Sequence, residues 1–129
     1  MSACKKDNST EHDLMNKLWV LGYIQNTQID ETINYPGSIE KITLVFTDSL
    51  NVIEFRGICN DGTGTYSYSS DSEELSVHGL KTTLIACTDF EWEGYTIRNL
   101  NDAYRFKING NSLAIFSKGD YNLYFSLSP

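Results

Sequence analysis

Residues 104–127 read YRFKINGNSLAIFSKGDYNLYFSL, and this stretch decides the fold class. Apolar side chains recur at every second position around two short polar turns: Phe106, Ile108, Leu113, Ile115, Tyr121, Leu123, Phe125 and Leu127. A period of two is typical of β-strands that bury one face. The turns contain Asn109-Gly110 and Gly119-Asp120, which suit tight turns with positive φ. The stretch therefore predicts a meander of three antiparallel strands.

The same period runs through the upstream half of the chain. One apolar row is interrupted by the turn sequence TDSLN and predicts a hairpin; its members are Ile42, Leu44, Phe46, Ile53 and Phe55. Two further short rows, at 66–68 and 75–77, flank the polar turn SSDSEE. Residues 18–24 are apolar on both faces, which favours a central or covered first strand. The polar stretch 25–38 that follows is expected to be a long loop.

One segment, CTDFEWEGYTIRNLNDAYRF at residues 87–106, has a helical pattern instead. Thr88 and Glu91 have capping-box spacing, which marks a helix N-terminus. The apolar residues that fall near one helical face are Phe90, Ile97, Leu100 and Tyr104. Seven to eight strands plus this helix predict a mainly β fold. We expect an antiparallel β-barrel or strongly curved sheet, with the one α-helix covering an open edge or end.

Length and charge limit the functional classes. The 129 residues suffice for one domain, and we expect a disordered tether at 1–13 followed by a single domain at 14–129. The net charge of −7 argues against a nucleic-acid partner, because duplex binding depends on basic residues that neutralise phosphates. The longest apolar runs are far shorter than the roughly 20 residues of a membrane-spanning helix.

The N-terminal residues Ser2-Ala3-Cys4 are similar to the end of a bacterial lipoprotein signal, in which small residues precede a cysteine that is lipidated. The apolar segment of such a signal is missing, so the sequence would begin inside it. We predict lipidation of Cys4; the alternative is an ordinary cysteine in a polar tail.

The remaining cysteines, Cys59 and Cys87, form an even pair in a chain expected to be exported. We predict that they form a disulfide, which would stabilise the fold by roughly 3 to 4 kcal/mol in the chain-entropy model. The alternative is two buried free thiols.

The loop GICNDGTGTY, residues 57–66, could in principle bind phosphate or metal. Thr63 and Gly64 stand where a phosphate-binding loop needs Lys and Ser or Thr, and a strand-like run follows instead of a helix. Asn60 and Asp61 are adjacent, whereas a calcium loop needs acidic oxygens at alternate positions. The loop is therefore interpreted as structural, with glycines that permit a bulge or tight turn.

Other signs of chemistry are weak. The sequence has no zinc-type pairing of Cys and His and no hydrolase elbow, so we expect no metal, no cofactor and no catalytic residue. Five aromatic residues could either line a binding surface or pack inside a core built largely from aromatic rings: Tyr66, Tyr68, Trp92, Tyr95 and Tyr124.

Several segments together resemble the META domain (HslJ-like) family of bacterial envelope proteins. The matching segments are CNDGTGTY with Cys59, Asn60, Gly64 and Tyr66; ELSVHGL with Leu75 and Leu80; TTLIAC with Thr83, Ala86 and Cys87; and Leu100 to Leu113, after an opening strand with Trp19 and Leu21. The similarity covers roughly Leu18 to Leu127. The chain departs from the family at Ile58, where a glycine is usual, in its long loop at 25–38 and at Gly94.

The resemblance implies a small β-rich fold with a helix, often lipid-anchored and linked to stress tolerance, with no catalytic residue to carry over. It assigns Asn60, Gly64, Tyr66, Thr83 and Ala86 a structural role. We predict a monomeric, non-enzymatic lipoprotein domain, periplasmic or anchored to the outer membrane, that binds an envelope protein or glycan or supports the envelope under stress. The alternative is a carrier that holds an apolar small molecule at the barrel mouth; a hydrolase comes third.

Overall fold

The computed structural model describes residues 14–83 and 90–128. Within these ranges the chain forms nine β-strands and one α-helix, numbered here in chain order. The strands are β1 (Trp19–Asn26), β2 (Thr32–Asn34), β3 (Thr43–Phe46), β4 (Val52–Arg56), β5 (Asp61–Ser69), β6 (Glu74–Thr82), β7 (Ala103–Asn109), β8 (Ser112–Ser117) and β9 (Tyr121–Leu127), and the helix is α1 (Phe90–Asn101).

Eight of the described strands close into an antiparallel barrel. They pair in the order β1, β3, β4, β5, β6, β7, β8, β9, and β9 pairs back onto β1. The predicted barrel of seven to eight strands with one helix is therefore confirmed. The remaining strand, β2, is a three-residue extension paired with β1. It lies in the stretch 25–38 that was expected to be a loop; a strand this short, with Ile33 as its one apolar residue, leaves no periodic signal.

The C-terminal meander has the predicted pairing, β7 with β8 and β8 with β9. Gly110 adopts a φ of 63°, as its tight turn requires. Gly119 does not adopt a positive φ, so that part of the prediction is wrong. Its role depends on close packing against α1, described below.

A β-bulge in β1 decides which of its side chains face outward. The pairing with β9 shifts register between Leu21 and Tyr23, which leaves Gly22 as an extra residue. Strict alternation would keep Tyr23 on the face of Leu21, but the bulge turns Tyr23 outward and Ile24 inward. The apolar side chains of residues 18–24 do not follow one alternation, because the bulge changes which residues point into the barrel. The strand itself is paired with β9 on one side and β3 on the other.

The barrel has a short seam between β6 and β7, which share one residue pair, Glu74 with Arg105. Further along β6 the side chain of Asn101 takes the place of a strand. The Leu80 N–H donates to Asn101 Oδ1 at 3.1 Å, and Asn101 Nδ2 donates to the Leu80 carbonyl at 3.0 Å. The Asn101 side chain thus satisfies the backbone hydrogen-bonding groups of Leu80, which no residue of β7 pairs with.

Helix α1 packs against β6, β8 and β9. Its buried residues Trp92, Thr96 and Leu100 recur at four-residue spacing, which is the pattern of a helix with one covered face. Tyr104 continues that spacing, but it is an exposed residue of β7, so its placement on the helix was wrong. The helix ends at Asn101, which is held by Leu80. The predicted cap residue Thr88 lies outside the described residues.

Large side chains fill the inward-facing rows of the barrel strands. The hydrophobic strand residues exposed by 5% or less are Trp19, Leu21, Ile24, Leu44, Phe46, Ile53, Phe55, Tyr66, Leu75, Val77, Leu80, Phe106, Leu113, Ile115, Leu123 and Phe125. Aliphatic side chains outnumber aromatic ones in this set, so the expectation of a mainly aromatic core is wrong. Every barrel strand contributes at least one inward side chain to this set, and most of these side chains are aliphatic.

Candidate functional site

The loop Gly57–Asn60 binds the carboxylate of Glu93, a buried residue in the first turn of α1. Glu93 Oε2 accepts hydrogen bonds from the N–H of Cys59 at 2.7 Å and of Asn60 at 3.2 Å. Glu93 Oε1 accepts one from Asn60 Nδ2 at 2.9 Å. Successive backbone N–H groups of this kind form a concave anion site. We call Glu93 and this loop the N-terminal anchor of α1.

The loop leaves no space beside the carboxylate. A Cβ at Gly57 would lie 2.6 Å from Glu93 Oε2 and 2.8 Å from the Asn60 carbonyl oxygen. On the other side, Asn60 Oδ1 accepts a hydrogen bond from Thr83 Oγ1 at 2.7 Å. The structure thus brings Asn60 and Thr83 together with Glu93 and the backbone of Cys59. These groups hydrogen-bond to one another, so the arrangement holds α1 against the loop.

Three of the residues singled out in the sequence, Cys4, Ala86 and Cys87, lie outside the described residues. Cys59 is described and half-buried, with Asn60 Nδ2 3.7 Å from its sulfur. The disulfide with Cys87 and the lipidation of Cys4 remain predictions.

Two glycines of the loop motif, Gly62 and Gly64, lie inside β5. A Cβ at Gly62 would lie 2.3 Å from the Lys81 carbonyl oxygen, and one at Gly64 would lie 2.7 Å from the Leu80 Cα. The pairing of β5 with β6 shifts register between Thr63 and Thr65, so the predicted bulge is present. These glycines therefore allow β5 and β6 to approach closely across an irregular ladder.

Tyr66 is a buried core residue with a polar tip. Its hydroxyl donates to the Thr47 carbonyl at 2.7 Å, and its ring meets Phe46 edge to face at 5.0 Å. Burial, followed by the proximity of Tyr68 and Asp48, raises the pKa of Tyr66 to about 12. The neutral phenol is thus the form that the fold accommodates.

Near its other end α1 is held by Asn99, which is fully buried. Asn99 Oδ1 accepts hydrogen bonds from Ser117 Oγ at 2.9 Å and from the Tyr121 N–H at 3.1 Å. Asn99 Nδ2 donates to the Tyr95 carbonyl at 2.8 Å. A Cβ at Gly119 would lie 2.6 Å from Asn99 Oδ1, which explains the glycine in this turn. We call Asn99 and residues 117–121 the C-terminal anchor of α1.

A groove of about 550 Å³ lies on the outside of the barrel across β7, β8, β9 and β1; we call it the aromatic groove. The strand register aligns Lys107, Ala114, Tyr124 and Tyr23 in one row across these four strands. The rings of Tyr23 and Tyr124 stack with centroids 4.5 Å apart and planes 9° apart. The Tyr124 hydroxyl donates to Gln25 Oε1 at 3.1 Å, which fixes the orientation of the pair.

Two further rows flank this one. On one side Asn109 pairs with Ser112, and Ser112 pairs with Ser126. On the other side the guanidinium of Arg105 lies 4.9 Å from the ring centroid of Phe116. None of the described residues that line the groove is acidic, although the chain carries 17 acidic and 10 basic residues.

The aromatic candidates from the sequence divide between these environments. Tyr66 and Trp92 are buried, and Tyr68 and Tyr95 are half-buried and pack against the core. Tyr124 lies in the aromatic groove. Burial, then the neighbouring Tyr23, raises the pKa of Tyr124, whereas a hydrogen bond from Asn122 lowers it.

Other reactive groups do not form a catalytic arrangement in the described part of the chain. Ser76 Oγ lies 2.8 Å from Nε2 of His78, which is exposed on β6. Within residues 14–83 and 90–128 no hydrogen bond joins the His78 ring to a carboxylate, as a nucleophilic triad would need. No group of three or more His, Cys, Asp or Glu that could hold a metal occurs in the same ranges. Among the described residues, α1 is too short and too polar to span a bilayer.

Sequence reasoning missed Glu93 and Asn99, the residues that organise the two anchors. Glu93 lies 33 positions from Asn60, so their contact leaves no local pattern. Asn99 is a polar residue on the covered face of a helix, and that was an available signal, because such residues need a partner when buried.

Comparison with known proteins gives a family and a fold. A family model described as META domain matches residues 12–128. A search of curated proteins gives no match. Among solved structures, the NMR structure of a protein from Burkholderia xenovorans has a TM-score of 0.74 at 20% identity, covering 99% of this chain and 94% of that one. The crystal structure of a duf4847 family protein from Bacteroides vulgatus has a TM-score of 0.68 at 12% identity, with coverages of 92% and 96%. At such identities these two similarities show the fold alone.

Proposed function

Because the chain belongs to the META domain family, we propose that it is a non-enzymatic domain of the bacterial cell envelope that binds another envelope component. In this proposal the lipid on Cys4 anchors it to a membrane, residues 5–13 act as a tether, and the barrel presents its outer surface to the partner. Binding would support the envelope under stress.

The observation that carries the proposal is the N-terminal anchor. Both carboxylate oxygens of Glu93 accept hydrogen bonds from the loop that contains Cys59 and Asn60. A general acid or base must instead reach a substrate proton. The most distinctive motif of the sequence therefore supports a role in folding, and the accessible outer surface supports a role in binding.

The carrier alternative receives less support. A small-molecule carrier needs space at the mouth or centre of its barrel. The inward rows of the described strands are instead occupied by side chains that are exposed by 5% or less.

The test is lipidation and location in the parent bacterium. Cells that express the protein from its own locus are grown with an alkyne fatty acid, which labels lipidated proteins. The envelope is then separated from the soluble fraction. We expect the wild-type protein and the neighbouring control Lys6→Ser to be labelled and to fractionate with the envelope. Cys4→Ser should lose both properties and should fail to restore detergent tolerance to a deletion strain. Equal location and tolerance of Cys4→Ser and wild type would contradict the proposal.

A further inference from the structure

We propose that the aromatic groove is a binding site for an acidic oligosaccharide, a glycan whose sugar rings carry carboxylates; this inference rests on the proposed function and names its partner class. The sugar face would stack on the tyrosine pair. A carboxylate would lie near Lys107, and the hydroxyl groups would bond to the polar row of Asn109, Ser112 and Ser126.

The first support is the order of groups along one row. Lys107, Ala114, Tyr124 and Tyr23 lie on successive strands, so the row spans three interstrand spacings, about 14 Å. It places a cation at one end, an exposed aromatic surface at the other and a small side chain between them. A ligand that lies across the strands would meet all three in sequence.

The second support is the polar row beside it. Asn109, Ser112 and Ser126 present amide and hydroxyl groups in register with the first row. Oligosaccharides offer both apolar ring faces and many hydroxyl groups, and sites for them combine an aromatic platform with a few placed hydrogen-bonding groups. An apolar ligand would leave these polar groups without partners, which costs free energy.

The third support is charge. Lys107 lines the groove and Arg105 lies against the lining residue Phe116, in a chain of net charge −7, and the described lining has no acidic residue. Lys107 is 56% exposed, and its ammonium is 3.9 Å from the Glu73 carboxylate, a separation at which an exposed ion pair is weak. A ligand carboxylate can therefore compete for it. A long polyanion or an anionic bilayer would be repelled by the rest of the surface.

The fourth support is rigidity. The groove lies on β7, β8, β9 and β1; β8, β9 and β1 are paired on both sides, and β7 is paired with β8 along its length. The Tyr23–Tyr124 stack is fixed by the bulge at Gly22 and by the hydrogen bond to Gln25. A binding surface built on paired strands loses little entropy on association.

The test is an NMR titration of the ¹⁵N-labelled full chain with two probes. Hyaluronan tetrasaccharide has one carboxylate per disaccharide, and chitotetraose is a neutral analogue. We expect chemical-shift changes confined to β7, β8, β9 and β1. The acidic probe should bind about fivefold more tightly than the neutral one, and this difference in affinity should shrink as the salt concentration rises. Tyr124→Ala and Tyr23→Ala should each weaken binding about five- to tenfold. Lys107→Gln should abolish the preference for the acidic probe.

Matched controls are available on other faces of the barrel. Tyr104 is 44% exposed, compared with 38% for Tyr23, and it lies outside the groove. Tyr104→Ala and Lys81→Gln should leave both affinities within about twofold. Absence of binding, shifts centred on another face, or equal losses in Tyr104→Ala and Tyr124→Ala would each overturn the inference. The proposed function is tested separately, by whether envelope location and detergent tolerance are lost in Cys4→Ser, so the two proposals can fail independently.

Discussion

At each end of α1 a buried side-chain oxygen accepts hydrogen bonds from a neighbouring segment, but the accepting group differs between the two ends. At the N-terminal anchor a buried carboxylate of Glu93 accepts from the loop Gly57–Asn60, and at the C-terminal anchor a buried amide of Asn99 accepts from residues 117–121. In each case a glycine stands where a Cβ would lie 2.6 Å from the accepting oxygen. A helix that ends beside a barrel seam is thus fixed by buried polar groups as well as by apolar packing.

The difference between the anchors lies in charge and in connection. Glu93 is anionic, so the donors around it make charge-assisted hydrogen bonds, which are stronger than neutral ones. Its loop is also linked to Thr83 and, in our prediction, to Cys87. Asn99 is neutral and donates to its own helix. We therefore expect the N-terminal anchor to contribute more to the free energy of unfolding, and substitutions that break it to destabilise the protein more.

The largest expected effect is loss of the predicted Cys59–Cys87 disulfide, which would join the N-terminal anchor to the segment before α1. Cys87→Ser should lower the free energy of unfolding by roughly 3 to 4 kcal/mol in the chain-entropy model. Urea unfolding of both proteins, with and without reductant, measures it. Reductant should destabilise the wild type and leave Cys87→Ser unchanged.

The pairing itself is checked by alkylation of the unreduced full chain under denaturing conditions, followed by mass spectrometry. In protein produced without the Cys4 lipid, one added group, at Cys4, is expected. Three added groups would mean that the thiols at 59 and 87 are free, and the two anchors would then differ in charge and in the hydrogen bond from Thr83.

The second prediction concerns Glu93→Ala, which removes the acceptor of two backbone N–H groups and one side-chain amide. Leaving these donors unpaired should cost about 3 kcal/mol in the free energy of unfolding. The control is Glu91→Ala, since Glu91 is exposed in the same first turn and has the same relation to the helix dipole. Urea denaturation of the two variants gives the difference. Equal stability of the two variants would show that the N-terminal anchor does not stabilise the fold.

The contrast between local and distant contacts also explains what the sequence could predict. The hairpin at 42–55, the C-terminal meander and the turn at Gly110 were predictable, because period and turn chemistry are properties of neighbouring residues. The glycines at the start of β5 were predicted to permit a bulge, and the pairing of β5 with β6 has a register shift there.

The anchors were not predictable in the same way. The partners of Glu93 and Asn99 come from other elements, and one polar residue among many does not indicate which loop will approach it. The aromatic groove depended on the bulge at Gly22, because strict alternation places Tyr23 on the wrong face. A glycine inside an apolar strand was the available signal for that bulge.

The third prediction compares Gly57→Ala with Gly119→Ala. At position 57 the added Cβ would meet the backbone carbonyl of Asn60 at 2.8 Å as well as Glu93 Oε2, and the backbone cannot move without breaking the anchor. At position 119 the three near atoms all belong to side chains. We expect losses of about 3 kcal/mol for Gly57→Ala and about 1 kcal/mol for Gly119→Ala.

Thermal unfolding of both alanine variants measures these losses, and Gly37→Ala is the control because nothing lies within 4 Å of its Cβ position. The reverse order of the losses at 57 and 119 would show that the C-terminal anchor is the more rigid one.

The smallest effect is expected at alkaline pH, where the two anchors should respond differently. Tyr121, whose N–H donates to Asn99, has its pKa raised from 10.0 chiefly by burial, then by Tyr95, Glu31 and Asp120. Because the folded pKa exceeds the unfolded value, this contribution to stability is complete below pH 10 and is lost as pH rises through the folded pKa.

Hydrogen exchange of the Asn99 segment should therefore speed up above pH 10, beyond the intrinsic base-catalysed rate, before that of the Glu93 segment. Tyr121→Phe should remove this difference while retaining the ring. Tyr66, with its pKa near 12, should affect both segments together at higher pH, since it lies in the shared core. If the Glu93 segment responded first, ionisation of Tyr121 would not govern the C-terminal anchor.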